Sequence, residues 1–507
     1  MPILPSVHLH RSAPHTSFGQ RLLTALALTL LLASTLVARP LHAQISAEEY
    51  ADRRARLAAA MPGDGVLIVR GARAPEFDYI EFHQTPPLTY LTGLQEPDAA
   101  LLIEKRGSTI TQTVFVRERN VDREIWEGHS LGTEGAAAFT GVQALPRERL
   151  LPRLQEMLAG GGDLFVTSTT DLAGFPGSSE DLEPPPGTRV QPMIRQLQQL
   201  RGTKSDAELE LIRRAIAITV EAHQDAMRLV APGLNEFEVE AVIEYNFRRY
   251  GAARPAFASI VGSGPNSTTL HYNNNDRFMQ DGEMVVIDIG ANFMGYSADV
   301  TRSLPVNGRF SEEQRHIYQT VRNAQVAAEQ VAAVGVPYQA LTEAAALAIA
   351  KGLADAGLID APDATYDCGS ARGANRECLQ YQLFFMHGLG HGIGLQVHDP
   401  DQFQFGAIGV NSVFTIEPGI YVRADVLDHL PDTPRNRAMR GRLAAAVARY
   451  ANIGVRIEDD YIVGADGLEW ISRVPREIDE VEAMMATPWT GPSATRPEMV
   501  DWSGRGG

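Results

Sequence analysis

The stretch from Glu283 to Arg302 constrains the fold more than any other part of the 507-residue chain. It reads Glu283-Met-Val-Val-Ile-Asp288-Ile-Gly290 and then Tyr296-Ser-Ala-Asp299-Val-Thr-Arg302, with Met294-Gly295 in turn position between the two runs. Strand-like runs on either side of a Gly-containing dipeptide predict a β-hairpin. That turn pairs Phe293 with Tyr296, Asp288 with Thr301 and Asp299 with Gly290. Side chains alternate along a strand, so Asp288 and Asp299 fall on one sheet face as diagonal neighbours, their Cβ atoms ~7 Å apart. Two carboxylates so placed repel unless a cation lies between them or both are solvated. Asp288 ends the apolar run Met284–Ile287, where a carboxylate needs a partner, and this favours the cation.

Three further elements supply matching chemistry. Met386-His387-Gly-Leu-Gly-His391-Gly-Ile-Gly-Leu-Gln-Val-His398-Asp399 concentrates three histidines on backbone whose glycines, at 388, 390, 392 and 394, disfavour a regular helix. His387 and His391 are therefore not read as a helical ligand pair, and the glycines suggest close backbone approach to a ligand. In Val413-Phe-Thr-Ile-Glu417-Pro418-Gly419, proline holds Glu417 extended at the end of an apolar strand. In Gly454-Val-Arg456-Ile-Glu458-Asp-Asp460-Tyr, alternation puts Val455 and Ile457 on one side and Arg456, Glu458 and Asp460 on the other.

Taken together, Asp288, Asp299, His391, Glu417 and Glu458 form a candidate metal-ligand set of four carboxylates and one imidazole. Such donors suit Mn²⁺, Co²⁺ or Zn²⁺ rather than a thiolate-seeking ion. Four carboxylates carry enough charge for two divalent ions, held ~3.5–4 Å apart by bridging oxygens. Water shared by such a pair gives a hydroxide nucleophile near neutral pH, so the set predicts a metallo-hydrolase.

The remainder of the chain divides around residue 201. From Ser46 to about Gln199, short apolar strands (Gly65–Val69, Ala99–Ile103) alternate with helical patterns (Ala47–Ala60, Arg147–Ala159), as in an α/β unit. A turn-rich segment, 174–187, and a strand at Val190–Met193 close it. Ser205-Asp-Ala-Glu208 is a capping box, and Asn235-Glu-Phe-Glu238 starts a second helix in the same way. Helices are also expected at Ser311–Ala333 and Ala340–Gly357, among strands that dominate from Glu283 onward. The segments are therefore 1–43, 44–200, 201–480 and a loose Pro/Gly/Ser-rich tail at 481–507. A net charge of −17 argues against nucleic acid or anionic lipid as partners.

Arg11 and Arg21, the apolar run Leu22–Ala38 and Leu41-His42-Ala43 follow the order of a secretory signal, which predicts export to the periplasm or medium. An uncleaved anchor is the alternative, since spans of roughly 17 residues can just cross a bilayer. Cys368 and Cys378 are the two cysteines, ten residues apart in a loop-like stretch. They are either a disulfide, as an exported protein permits, or two unrelated thiols.

These residues, in this order over roughly Ser205 to Val463, resemble the pita-bread metallopeptidase superfamily of methionine aminopeptidase, prolidase and aminopeptidase P. The resemblance implies that Asp288 and Asp299 are paired metal ligands with Asp299 bridging, and that His391 is the single imidazole ligand. By the same resemblance, Glu417 is both ligand and general acid/base and Glu458 bridges two divalent ions, expected as Mn²⁺. His271, in Leu270-His-Tyr, with His387 and His398, matches the histidines near the scissile bond, where they would contact substrate and assist catalysis. Arg456 would orient Glu458 or bind substrate. Tyr90-Leu-Thr-Gly93, Glu96-Pro-Asp-Ala99 and Trp126-Glu-Gly128 are similar to the N-terminal domain of aminopeptidase P, which methionine aminopeptidases lack. Creatinase-like relatives lack the metal ligands.

The implied fold is a two-domain α+β/α/β protein. An N-terminal creatinase/aminopeptidase P-type α/β domain precedes a pita-bread catalytic domain. The implied activity is an exported Xaa-Pro aminopeptidase acting on peptides with proline second, with a homo-oligomer (dimer or tetramer) expected. A prolidase restricted to dipeptides is the alternative, and a metal-free binding protein of the same fold a third reading. Two departures stand out. Phe82-His-Gln-Thr-Pro-Pro87 replaces a segment where relatives carry Arg and an acidic residue, and Asp425–Asn452 lengthens the gap between the two glutamate motifs, as a cleft-lining insertion or a surface excursion.

Overall fold

The computed structural model describes residues 45–491 except Glu76, Asp78, Tyr79, 175–180 and 372–373, and the side chains of 370–375 are likewise left undescribed. The expected signal segment lies outside the described residues, as does the chain from 492 onward.

The N-terminal half is built on one mixed sheet. Its strands are β1 (Gly65–Arg70), β2 (Ala100–Arg106), β3 (Thr109–Val116), β4 (Gln143–Pro146), β5 (Asp163–Val166) and β6 (Val190–Pro192), in the order β4-β3-β2-β1-β5-β6. The three longest strands are antiparallel neighbours, and β4, β5 and β6 join in parallel. Val66, Leu67, Ile68 and Val69 are all buried, so β1 is covered on both faces, which is why it reads as a continuous apolar run. One cover is the Leu150–Ala159 helix, whose Leu150, Leu154, Met157 and Leu158 pack on Val66, Ile68 and Leu102.

Capping chemistry sets the helices of the catalytic half. Ser205 with Glu208, Asn235 with Glu238 and Ser311 with Gln314 each form a reciprocal box at the start of the Asp206–Leu229, Glu236–Arg249 and Glu312–Val331 helices. Each cap contributes about 1 kcal/mol. The Tyr338–Asp355 helix completes the layer around one apolar core that includes Ile218, Phe247, Val285, Ile287, Val300, Ile317, Leu341, Phe414, Ile420 and Val455.

The strands of this half form small sheets of two or three strands each. They are β7 (Arg254–Pro255), β8 (Ile260–Ser263), β9 (Met284–Ile289), β10 (Ala291–Phe293), β11 (Tyr296–Ser297) and β12 (Val300–Pro305), followed by β13 (Thr365–Ala371), β14 (Ala374–Leu379), β15 (Ser412–Ile416), β16 (Gly419–Val422), β17 (Ile453–Arg456), β18 (Asp459–Gly464) and β19 (Gly467–Trp470). The expected hairpin is present in the expected register, with Phe293 opposite Tyr296 and Asp288 opposite Thr301. Met294 and Gly295 both adopt positive φ, +49° and +91°, as a two-residue turn of this hand requires.

Three features differ from the sequence reading, and two open alternatives, the cysteine pairing and the insertion after Asp425, are decided. The segment 454–461 is two strands, with β17 paired to β16 and β18 to β15. The chain changes sheets at Ile457-Glu458, where Glu458 pairs with Thr301 instead. The cysteine stretch is a hairpin, β13–β14, rather than a loop, and Cys368 and Cys378 are disulfide-bonded across it. The insertion after Asp425 is a surface excursion containing the Pro434–Tyr450 helix. Its Met439, Leu443 and Val447 extend the core, and its Asn436 and Arg435 bond the cysteine hairpin. Finally, residue 481 lies in a helix rather than in a loose tail. The Ile478–Met485 helix buries Val481, and buried Glu482 pairs with Arg309 and Arg315.

Candidate metal centre

The five expected ligands converge from the β9–β12 hairpin, the glycine-rich loop, the end of β15 and the β17–β18 crossing. His391 is at the centre. Its Nδ1 lies 3.2 Å from the Gly392 carbonyl, so that nitrogen donates and Nε2 keeps its lone pair. Nε2 stands 3.3 Å from Glu417, 3.4 Å from Asp299 and 3.9 Å from Glu458. Ligand atoms of Asp299, His391 and Glu458 all lie within 4.8 Å of one another. Asp288 is buried beside them and pairs through Oδ2 with Arg456.

The surrounding chain holds these residues through specific hydrogen bonds. Thr301 Oγ1 donates to Glu458 Oε2 at 2.7 Å, while the backbones of the same two residues pair. The His391 amide donates to Thr415 Oγ1 at 3.1 Å, and Thr415 Oγ1 in turn donates to Glu417 Oε1 at 3.3 Å. Asp460 Oδ2 accepts the Asp299 amide at 3.1 Å. Buried Arg302 donates to the Glu458 carbonyl at 2.8 Å and pairs with Asp459 at 2.7 Å.

The electrostatics call for cations. Asp288 Oδ1, Asp299 Oδ1, Glu458 Oε1 and Asp460 Oδ1 are buried without a hydrogen-bond partner. Burial, then the charges of Glu458, Asp288, Glu417 and Asp460, push the Asp299 carboxyl well above its ordinary range. Burial followed by Glu417 and Asp288 does the same to Glu458, and burial raises Glu417 and Asp460. Among the described residues, Arg456 is the one buried guanidinium paired with the Asp288 and Glu458 carboxylates. Orphaned, charge-crowded oxygens around a free imidazole nitrogen fit divalent cations, which would supply both the missing bonds and the missing charge.

The three other histidines differ in setting. His387 Nδ1 donates to the Gly388 carbonyl at 2.7 Å, and Nε2 accepts from Tyr421 Oη at 3.0 Å. Tyr421 Oη accepts from Arg456 Nη1 at 2.8 Å. Burial, Arg456 and His271 together lower the His387 pKa to about 4. His398 is exposed, and its ring lies 4.2 Å from that of His391. Burial and the charges of His391 and His271 lower its pKa. His271 is exposed on the loop before the hairpin.

The structure bears on two expectations. Arg456 was expected to orient a carboxylate or bind substrate. It is buried, and its donors go to Asp288, Tyr421, Thr301 and the Leu270 carbonyl, so orientation is the role this geometry offers. Three of the four glycines of the His391 loop press against their own chain, and only Gly388 has open space beside it. A Cβ at Gly390 would meet the Thr415 carbonyl at 2.2 Å, and one at Gly392 would meet that of Asp399 at 2.4 Å.

Sequence reasoning also missed two residues. Asp460 shares the strand parity of Glu458, which was the available signal. Glu236 had none. Fully buried, it accepts from the Ser263 amide and hydroxyl (2.6 and 2.7 Å), Tyr272 Oη (2.9 Å) and the Arg277 amide (3.0 Å), fixing the loop that carries His271.

Comparison with known proteins agrees with this architecture. Residues 210–465 match the metallopeptidase family M24, and residues 50–165 match the aminopeptidase P N-terminal domain. A Xaa-Pro aminopeptidase of Escherichia coli K12 is 32% identical, the alignment covering 87% of this chain and 98% of that one. Xaa-Pro aminopeptidase 3 of Mus musculus is 31% identical over 79% of this chain and 76% of its own. Among solved structures, the Pseudomonas aeruginosa aminopeptidase PepP superposes with a TM-score of 0.72 at 31% identity, covering 88% of this chain and 99% of that one. Aminopeptidase P from E. coli with the inhibitor Pro-Leu gives 0.72 at 29%, covering 87% and 98%. The chain belongs to the pita-bread metallopeptidases of family M24, in the aminopeptidase P group.

Proposed function

We propose that this protein is an exported, metal-dependent Xaa-Pro aminopeptidase that removes an N-terminal residue preceding proline. The observation that carries the reading is the cluster of buried carboxylates with unpartnered oxygens around His391, joined to an aminopeptidase P N-terminal domain. The relatives named Xaa-Pro aminopeptidase align over nearly their whole length, which supports the substrate class.

Asp288, Asp299, His391, Glu417 and Glu458 would hold two divalent ions, with Mn²⁺ the expected occupant and Co²⁺ or Zn²⁺ compatible with the donors. Bound there, the ions would supply Lewis acidity and an acidified water. His387, its pKa lowered to about 4, would act as a hydrogen-bonding group rather than a cation, and burial with the neighbouring imidazoles lowers the His398 pKa in the same direction. By the resemblance His271, His387 and His398 line the peptide site; His271 and His398 would bind the peptide and stabilise charge at its carbonyl oxygen, while His387, its ring nitrogens committed to Gly388 and Tyr421, would shape the site beside them. Glu417, whose pKa is raised and whose Oε2 stands 3.9 Å from His387 Nδ1, would carry the proton to the leaving proline nitrogen.

Export is supported by the arginine-flanked apolar run at 22–38 and by the Cys368–Cys378 disulfide, which an oxidising compartment favours. No helix among the described residues is long and apolar enough to cross a membrane. A homo-oligomer is the expected assembly, measurable by light scattering.

The test is a pair of substrates after metal removal and readdition. Cleavage of a Xaa-Pro-Xaa tripeptide that returns with Mn²⁺ is expected. Cleavage of the Xaa-Pro dipeptide alone would replace this reading with a prolidase, and absence of any bound or activating metal would favour a binding protein.

A further inference from the structure

Behind exposed His398 lies a buried charge cluster that the metal centre does not touch. Asp399 is 2% exposed, Lys204 1% and Arg201 5%. Lys204 Nζ donates to Asp399 Oδ2 at 2.7 Å, to the Arg201 carbonyl at 2.7 Å and to the Pro400 carbonyl at 3.0 Å, which uses all three of its protons. Arg201 Nη2 pairs with Asp399 Oδ1 and donates to Gln396 Oε1 at 2.9 Å. The Gln396 amide donates to Asp399 Oδ1 at 3.1 Å. Asp401, also buried and electrostatically coupled to Lys204, is held by Ser412 Oγ and the Phe403 and Val413 amides.

The loop 392–399 is built around the Asp399 carboxylate. The Asp399 amide returns to the Gly392 carbonyl at 2.8 Å, and the Gly394 amide bonds the Gln396 carbonyl at 3.1 Å. A Cβ at Gly394 would stand 2.5 Å from Asp399 Oδ2 and 3.1 Å from the Lys204 side chain. The loop can therefore close this tightly only where residue 394 lacks a side chain. Its product is the placement of the next residue back, His398, whose ring is tilted 53° over that of His391.

Buried ion clusters are weak sources of stability, because desolvation offsets most of their attraction. What they fix well is geometry. We propose that Asp399, clamped by Arg201 and Lys204, is the positioning residue for His398. Arg201 and Lys204 lie between the segments matched by the two family domains, so the clamp also ties this imidazole to the junction of the two halves. The proposal rests on the Xaa-Pro aminopeptidase reading for its kinetic test only.

That test is a double-mutant cycle in the full-length protein with a Xaa-Pro-Xaa tripeptide. Asp399→Asn and His398→Ala should each lower kcat/KM by roughly tenfold to a hundredfold, the scale of a misplaced catalytic group. The double variant should be no worse than His398→Ala alone. A purely structural clamp would make the losses multiply, and that result overturns the proposal. Arg201→Gln keeps the Lys204–Asp399 pair and leaves a polar side chain at 201, so it is the mildest break in the clamp. It should show a smaller loss that also vanishes in the His398→Ala background. An independent readout is the ¹⁵N-histidine spectrum of the metal-free protein, with the His398 signal identified by its loss in His398→Ala. That signal should move in Arg201→Gln while the signal of His316, bonded to the Gly352 carbonyl, stays. An unmoved His398 signal refutes the positioning role. If the wild type cleaves no Xaa-Pro peptide, the enzymatic reading fails, and the spectrum still decides the clamp.

Discussion

Asp459 offers the sharpest stability prediction. The carboxylate is fully buried and accepts from Arg302 Nη2 (2.7 Å), Arg476 Nη1 (2.9 Å), Gln325 Nε2 (2.9 Å), Ser472 Oγ (2.7 Å) and Trp470 Nε1 (2.8 Å). Arg302 is equally buried, and its other donors go to the carbonyls of Thr301, Glu458, Val474 and Pro475. Asp459→Ala leaves that guanidinium bonded to neutral oxygens with no counter-charge. Arg476 retains Glu329 at 2.7 Å. One uncompensated buried charge costs about 3–5 kcal/mol, so the variant should lose about 4 kcal/mol in urea unfolding, with the midpoint moving at constant slope. The pH dependence has a definite sign. Burial raises the Asp459 pKa, but Arg302 and Arg476 outweigh it and hold the carboxyl below its ordinary value. Its contribution is therefore present above pH ~4 and lost as pH falls through the depressed pKa, and the variant should lack that part of acid sensitivity. Asp425 is the control. Arg423 and His429 hold its pKa down too, but the group is exposed, so Asp425→Asn should leave the midpoint unchanged. A loss below about 1 kcal/mol for Asp459→Ala, or equal losses at both sites, would refute the reasoning.

Three other outcomes are expected. Buried His223 donates from Nε2 to the Val300 carbonyl at 2.8 Å, and burial, then Arg302, lower its pKa to about 4. Unfolding thus takes up a proton between pH ~6.5 and ~4, stability falls by roughly 3 kcal/mol over that window, and His223→Gln should flatten that limb of a stability–pH curve. Removing metal with a chelator should lower the melting midpoint and abolish peptidase activity. Mn²⁺ at a hundredfold over its Kd should restore about 2.7 kcal/mol to the wild type and far less to Glu458→Gln, as calorimetry would record. The disulfide closes a loop of sequence separation 10, so Cys368→Ser/Cys378→Ser should cost about 3 kcal/mol by the chain-entropy account. Reductant should lower the wild-type midpoint and leave the double variant unmoved. An equal response of both would show that another process is at work.

The hairpin was legible in the sequence because its information is local. A two-residue turn and a period of two fix which residues share a face, and Asp288 and Asp299 follow from that arithmetic. The helix starts at Ser205 and Asn235 were legible for the same reason. His391 was separable from its neighbours by its glycines, although the reason given was incomplete. Gly390 and Gly392 are pressed against the carbonyls of Thr415 and Asp399, and contacts of this kind have no periodic signature. The sheet change at Ile457-Glu458 was hidden because alternation continues through it. Glu236 and Asp399 look like ordinary acidic residues until the fold buries them among donors from distant segments.

The crossing at Glu458 has a consequence for how the protein is made. Thr301 and Glu458, which bind each other, are 157 residues apart in the chain. A ribosome delivers Asp288 and Asp299 long before the strand that completes their surroundings. Until then the hairpin has neither its β-bridge to Glu458 nor the arginine that neutralises Asp288. No truncated or half-folded chain can therefore hold the whole constellation, and such a chain is inert towards the peptides around it. The hydrolytic hazard of the enzyme is confined to the stage at which the segment carrying Glu458 finds Thr301.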